Sequence, residues 1–84
     1  MRSPASKFFA KRLRELRKQH SWTQEQAAES CGIGYKLYQL YELGIKDNPG
    51  LLTLEKIANG YSVKLHELLS PKLPKSRRQI VKIR

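Results

Sequence analysis

The chain has 84 residues, 39% hydrophobic, and a formal net charge of +10. That length allows one domain with a small core, and the charge calls for a polyanionic partner such as nucleic acid, an acidic lipid surface or an acidic protein. A single cysteine excludes an internal disulfide framework and a cysteine-based zinc site, and it fits a reducing, cytoplasmic setting.

No apolar run reaches the length of a membrane span, and no signal-peptide core follows the first residues. Residues 1–20 carry a net +6 and residues 70–84 another +6, whereas residues 21–69 carry −2. The middle of the chain is therefore almost neutral, and its flanks hold the charge.

In chain order, residues 1–6 are expected to be a loose lead-in, with Pro4 and Ser6 as candidate helix-start signals. From Lys7 to Gln19, Phe9, Leu13 and Leu16 recur at helical spacing. Lys11, Arg12, Arg14 and Lys18 take the other faces, either as a solvated surface or as a cationic face for phosphates. Thr23 and Gln26 have the form of a capping box, and Trp22 before them is placed to staple against Ala27. Ala27, Ala28 and Cys31 share one small-residue face, and Gly32 stops the helix because glycine accepts positive φ. Gly34 serves as N-cap of a helix from about Tyr35 to Glu42, with Tyr38 and Tyr41 inward. Tyr35, Lys36, Gln39 and Leu40 then look outward, and Leu37 falls at the core edge. Small residues, a glycine turn and a polar exposed second helix make a helix-turn-helix.

Leu43-Gly44 and the loop IKDNPG lead to a fourth helix, Leu51 to Ala58, with Leu51, Leu54, Ile57 and Ala58 on one face. Gly60-Tyr61-Ser62 breaks the chain again, and Leu65, Leu68 and Leu69 build a short fifth helix. Lys64 is a weak residue for its start. The tail from residue 71 combines prolines with a Lys/Arg cluster and ends near Ile80, Val81 and Ile83. It reads either as a disordered basic arm or as a short strand. The expected fold is an all-α five-helix bundle over residues 7–70 with a flexible or short-strand basic tail over residues 71–84.

The strings LRELRKQHSWTQEQAAESCGIG, YQLYELG, LLTLEKIA and YSVKLHELL, spanning Leu13 to Leu69, resemble the domain of phage Cro proteins and lambdoid repressors, the XRE-like group. The resemblance covers roughly two-thirds of the chain. It implies a double-stranded DNA-binding regulator of bacterial or phage type that reads a pseudo-palindromic operator as a homodimer on DNA. It also implies an ion pair between Arg17 and Glu42, and a phosphate contact by Gln24. Gln24 stands at the first turn of the second helix, where free N–H groups and the helix dipole favour an anion, although a solvated Gln fits too.

Base reading in the major groove needs hydrogen-bonding or methyl-contacting side chains on the exposed helix, and Tyr35, Lys36, Gln39 and Leu40 supply them. Lys36 is suited to guanine O6/N7, Gln39 to adenine N6/N7 and Leu40 to a thymine methyl, while Tyr35 reads equally as a packing residue. Arg14, Arg17, Lys46, Asn48, Arg77 and Arg78 are the further phosphate candidates. Leu51, Leu52, Val63 and Leu65 resemble the segments through which such repressors pair, and the Ile80–Ile83 segment is a second candidate for pairing.

Catalytic chemistry finds no constellation. His20 and His66 lack a carboxylate or Cys at metal-ligand spacing, and His20 falls where a C-terminal helix cap is needed. Cys31 is expected to be buried and inert. No enzyme activity, cofactor or metal is expected, and no membrane partner. The competing reading is a protein-interaction module, such as an antitoxin whose basic tail wraps an acidic toxin. A protein partner, toxin or inducer, thus remains open at this point.

Overall fold

The computed structural model describes residues 3–73. Five helices and no strand occur among these residues: α1 (Pro4–Gln19), α2 (Gln24–Cys31), α3 (Tyr35–Glu42), α4 (Leu51–Gly60) and α5 (Leu65–Leu68). The all-α five-helix expectation holds.

Helix α1 begins at Pro4, three residues before the expected start at Lys7. Ser3 is the N-cap, and its hydroxyl accepts the Ser6 backbone N–H at 3.1 Å. Pro4 is preorganised for the first helical position, where its missing N–H costs nothing. Arg17 and Lys18 lie in the last turn, where cations oppose the negative end of the helix dipole.

The Thr23–Gln26 capping box forms in both directions, at 3.1 and 2.9 Å. Gly32 adopts φ 71°, and the Ile33 N–H reaches back to the Ala28 carbonyl at 3.1 Å, closing the end of α2. Gly34 is the N-cap of α3 without a side-chain bond. Lys64 starts α5 because Glu67 Oε1 accepts the Lys64 N–H at 2.9 Å, so a side chain three residues on does what Lys64 cannot.

The core joins Phe9, Leu13 and Leu16 of α1 to Ala27, Ala28 and Cys31 of α2 and Tyr38 and Tyr41 of α3. Ile57, Ala58, Tyr61, Val63 and Leu68 close it from the other side. Trp22, Ile33, Leu37 and Leu54 pack at its margin. Trp22 stacks on His20, with ring centroids 4.1 Å apart, and both rings lie near Tyr61. His20 is the C-cap residue of α1, as its place in the sequence suggests.

Three further expectations change. Arg12, grouped with the cationic surface of α1, is only 2% exposed. Its guanidinium donates to the carbonyls of Glu67 and Leu68 at 3.2 and 3.3 Å and to Glu15 at 3.1 Å, and it lies 4.8 Å from the Phe8 ring centroid. A buried cation is tolerable only with such partners, and here it terminates α5. Val63, expected on a pairing surface, is 5% exposed and belongs to the core. Leu51, expected to share the core face of α4, is 72% exposed, because that face begins at Leu54.

Candidate nucleic-acid interface

The Arg17–Glu42 pair carries the geometry of this face. Arg17 Nε donates to Glu42 Oε2 at 2.7 Å and Nη2 to Oε1 at 2.9 Å, a bidentate fork that ties α1 to the end of α3. Arg17 Nη1 donates to the Trp22 carbonyl at 3.2 Å, holding the α1–α2 connection as well. Glu42 is 3% exposed, yet it accepts two more hydrogen bonds. Gln24 Nε2 donates to Oε1 at 2.7 Å and the Tyr38 hydroxyl donates to Oε2 at 2.8 Å. Burial alone would push the Glu42 carboxyl up, but the donors from Arg17, Gln24 and Tyr38 outweigh it and hold it below the ordinary carboxylate range. The Arg17 guanidinium is pushed up by the same hydrogen bond against its own partial burial.

Behind Glu42 the network continues into the core. The Tyr38 and Tyr61 hydroxyls are hydrogen-bonded to each other. Tyr38 has one proton and gives it to Glu42, so Tyr61 is the donor between them. Burial, first of all, pushes both hydroxyls far above the ordinary tyrosine range. In front of Glu42 the network reaches the surface. Gln39 Nε2 donates to Gln24 Oε1 and to the Tyr35 hydroxyl, each at 3.2 Å.

Tyr35 and Lys36 are exposed at the start of α3, and Gln39 and Leu40 are half-buried one turn later. All four therefore lie on or beside the outer face of α3, opposite the buried Tyr38 and Tyr41. Gln24 is half-buried and tied to the same face. Arg14 is exposed, but its Nη1 donates to the Glu42 backbone carbonyl at 2.8 Å, capping the C-terminus of α3. Lys46 and Asn48 are exposed on the loop after α3. Arg77, Arg78 and the Ile80–Ile83 segment lie outside the described residues. Leu51 and Leu52 are 72% and 67% exposed, Leu65 is half-buried, and Val63 is withdrawn into the core.

Sequence reading missed Tyr38 and Tyr61 as polar participants, placing Tyr38 among the inward residues of α3 and Tyr61 in a break of the chain. One signal was present: Tyr38 stands four residues before Glu42, the spacing at which helical side chains meet. No group of three His, Cys, Asp or Glu residues that could hold a metal occurs among the described residues. Nor is any helix among them long and apolar enough to cross a membrane.

Residues 13–68 match the family model described as helix-turn-helix. The chain is 39% identical over 62 residues to the cryptic phage CTXphi transcriptional repressor RstR of Vibrio cholerae, covering 74% of this chain but 55% of that protein. Among solved structures, the hypothetical transcription factor NHTF from Neisseria superposes with a TM-score of 0.73 at 27% identity, over 80% of this chain and 76% of that one. The master regulator for biofilm formation SinR, solved in complex with DNA, gives 0.69 at 26% identity, over 74% and 98%. The restriction-modification controller protein C.AhdI from Aeromonas hydrophila gives 0.67 at 31% identity, over 73% and 91%.

Proposed function

The chain belongs to the helix-turn-helix family, within its XRE-like group, and from that premise we propose that it is a sequence-specific, double-stranded DNA-binding transcriptional regulator of bacterial or phage type. The observation that carries this reading is the outer face of α3. Tyr35, Lys36, Gln39 and Leu40 stand together there on a helix locked at its far end by Arg17 and Glu42. Base edges in the major groove are read by such side chains, and rigid placement limits the entropy lost on binding.

In this reading α3 enters the major groove, with Lys36 on guanine and Leu40 against a thymine methyl. Gln24 keeps one amide hydrogen beyond its bond to Glu42 and sits at the N-terminus of α2, both suited to a phosphate. Lys46, Asn48 and the outer edges of Arg14 and Arg17 add phosphate contacts, and Arg77 and Arg78 extend them from the basic tail. The binding domain, expected over residues 7–70, begins three residues earlier with α1 at Pro4, and residues 71–84 form the tail. Most non-specific attraction comes from the flanks, since residues 21–69 carry a net −2. The setting is cytoplasmic, and catalysis plays no part.

One recognition helix covers too few base pairs to single out an operator in a genome, so the protein binds as a homodimer to two half-sites about one helical turn apart. The exposed pair Leu51 and Leu52, together with the half-buried Leu65, supports this pairing. Selection from random duplexes, followed by stoichiometry on the enriched site, tests the whole reading. A pseudo-palindrome taken up by two protomers is expected, with weaker cooperative uptake by Leu52→Glu. Absence of any enriched sequence would overturn the regulator reading. One protomer per duplex, with no gain from the second half-site, would overturn the dimer.

A further inference from the structure

The hydrogen-bond network of Glu42 has a direction, and that direction reaches the reading face. An ionised carboxylate only accepts, and Glu42 receives two bonds from Arg17, one from Tyr38 and one from Gln24. Gln24 must therefore turn its amide nitrogen toward Glu42, which leaves its Oε1 pointing at Gln39. That oxygen takes one amide hydrogen of Gln39, and the Tyr35 hydroxyl oxygen takes the other. A glutamine amide has only two hydrogens. Gln39 is left with its carbonyl oxygen as the group available to DNA.

We propose that Glu42, acting through Gln24, sets the polarity of Gln39, so that Gln39 reads an exocyclic amine, adenine N6 or cytosine N4, and rejects bases whose major-groove edge offers only acceptors. This narrows the bidentate adenine contact that the sequence suggests, because Nε2 has no hydrogen left for N7. Guanine presents N7 and O6, and thymine presents O4, all acceptors. Setting one of these against the Gln39 oxygen leaves two lone pairs facing each other, which costs more than a missing contact. Gln24 and Glu42 are then positioning residues for specificity, and Tyr35 is a second anchor. The inference rests on the proposed reading of DNA by α3.

Selections with the wild-type chain and Gln39→Ala locate the base pair that residue 39 reads. Duplexes are then made in which the major-groove amine of that pair alone is removed, with purine for adenine or pyrimidin-2-one for cytosine. Wild-type binding should fall about tenfold more than binding by Gln39→Ala, which cancels the effect of weakened base pairing. Gln24→Ala and Tyr35→Phe each return an amide hydrogen to Gln39, and each should lower selectivity at that pair about tenfold without changing the melting temperature by more than a few degrees. Tyr35 is exposed, so Tyr35→Phe decides the matter if Gln24→Ala does not fold. Equal losses for wild type and Gln39→Ala on the amine-free duplex overturn the polarity while base reading by Gln39 survives. Undiminished selectivity in the folded variants does the same. If Gln39→Ala shifts no position, base reading by Gln39 and the polarity fall together.

Discussion

Gly60 lies against Cys31 so closely that a Cβ on residue 60 would stand 2.6 Å from the Cys31 Cα. The two helices α2 and α4 approach closely there, with the Cys31 backbone N 2.8 Å and its Sγ 2.7 Å from the same point, and Ser30 Oγ donates to the Gly60 carbonyl at 2.9 Å across the same seam. Backbone is the obstacle, so the neighbour cannot swing aside. Gly60→Ala should therefore destabilise the domain by about 1–3 kcal/mol, the cost of overpacking a tight core. Gly50→Ala, where the added atom meets open space, is the comparison and should stay within about 1 kcal/mol. Urea denaturation of the two variants separates them. Equal midpoints would mean that the helices part without cost.

Acid should act on Glu42. Its folded pKa is depressed below the ordinary 4.5, the donors from Arg17, Gln24 and Tyr38 overcoming the opposing effect of burial. The stabilisation is fully present above the unfolded pKa and is lost as pH falls through the lower folded value. Glu42→Gln should flatten that acid limb of the stability curve. At neutral pH it should also cost on the order of 2–3 kcal/mol, less than for a fully buried pair because the Arg17 side chain keeps 21% exposure. Melting temperatures of both proteins from neutral pH into acid provide the check, and parallel curves would show that Glu42 is not the group involved.

Arg12 and Lys46 should separate stability from DNA affinity. Arg12→Ala removes the donor that satisfies the last carbonyls of α5 and leaves them buried, at a cost of about 2–3 kcal/mol. Its effect on the salt dependence of DNA binding should be nil. Lys46→Ala should leave melting unchanged and reduce the slope of log K against log salt by about one unit. A changed slope in Arg12→Ala would put that guanidinium on the DNA after all.

What the sequence by itself determined is what depends on near neighbours. The capping box of Thr23 and Gln26, the left-handed Gly32 and the inward phase of Tyr38 and Tyr41 are decided within one or two helical turns. Hydrogen-bond geometry and the 3.6-residue period make such features legible. The Arg17–Glu42 pair, 25 residues apart, was legible only through resemblance to other chains. Tertiary structure decided the rest. Arg12 looks like any surface cation until the end of α5, 55 residues later, is folded against it. Val63 is apolar in either setting, and only the packing of the α4–α5 connection puts it inside rather than on a pairing surface. Tyr61 becomes part of the Glu42 network because folding brings its hydroxyl to Tyr38 from 23 residues away. A buried polar atom takes whatever partner the fold delivers, and those partners belong to the packing rather than to any local pattern.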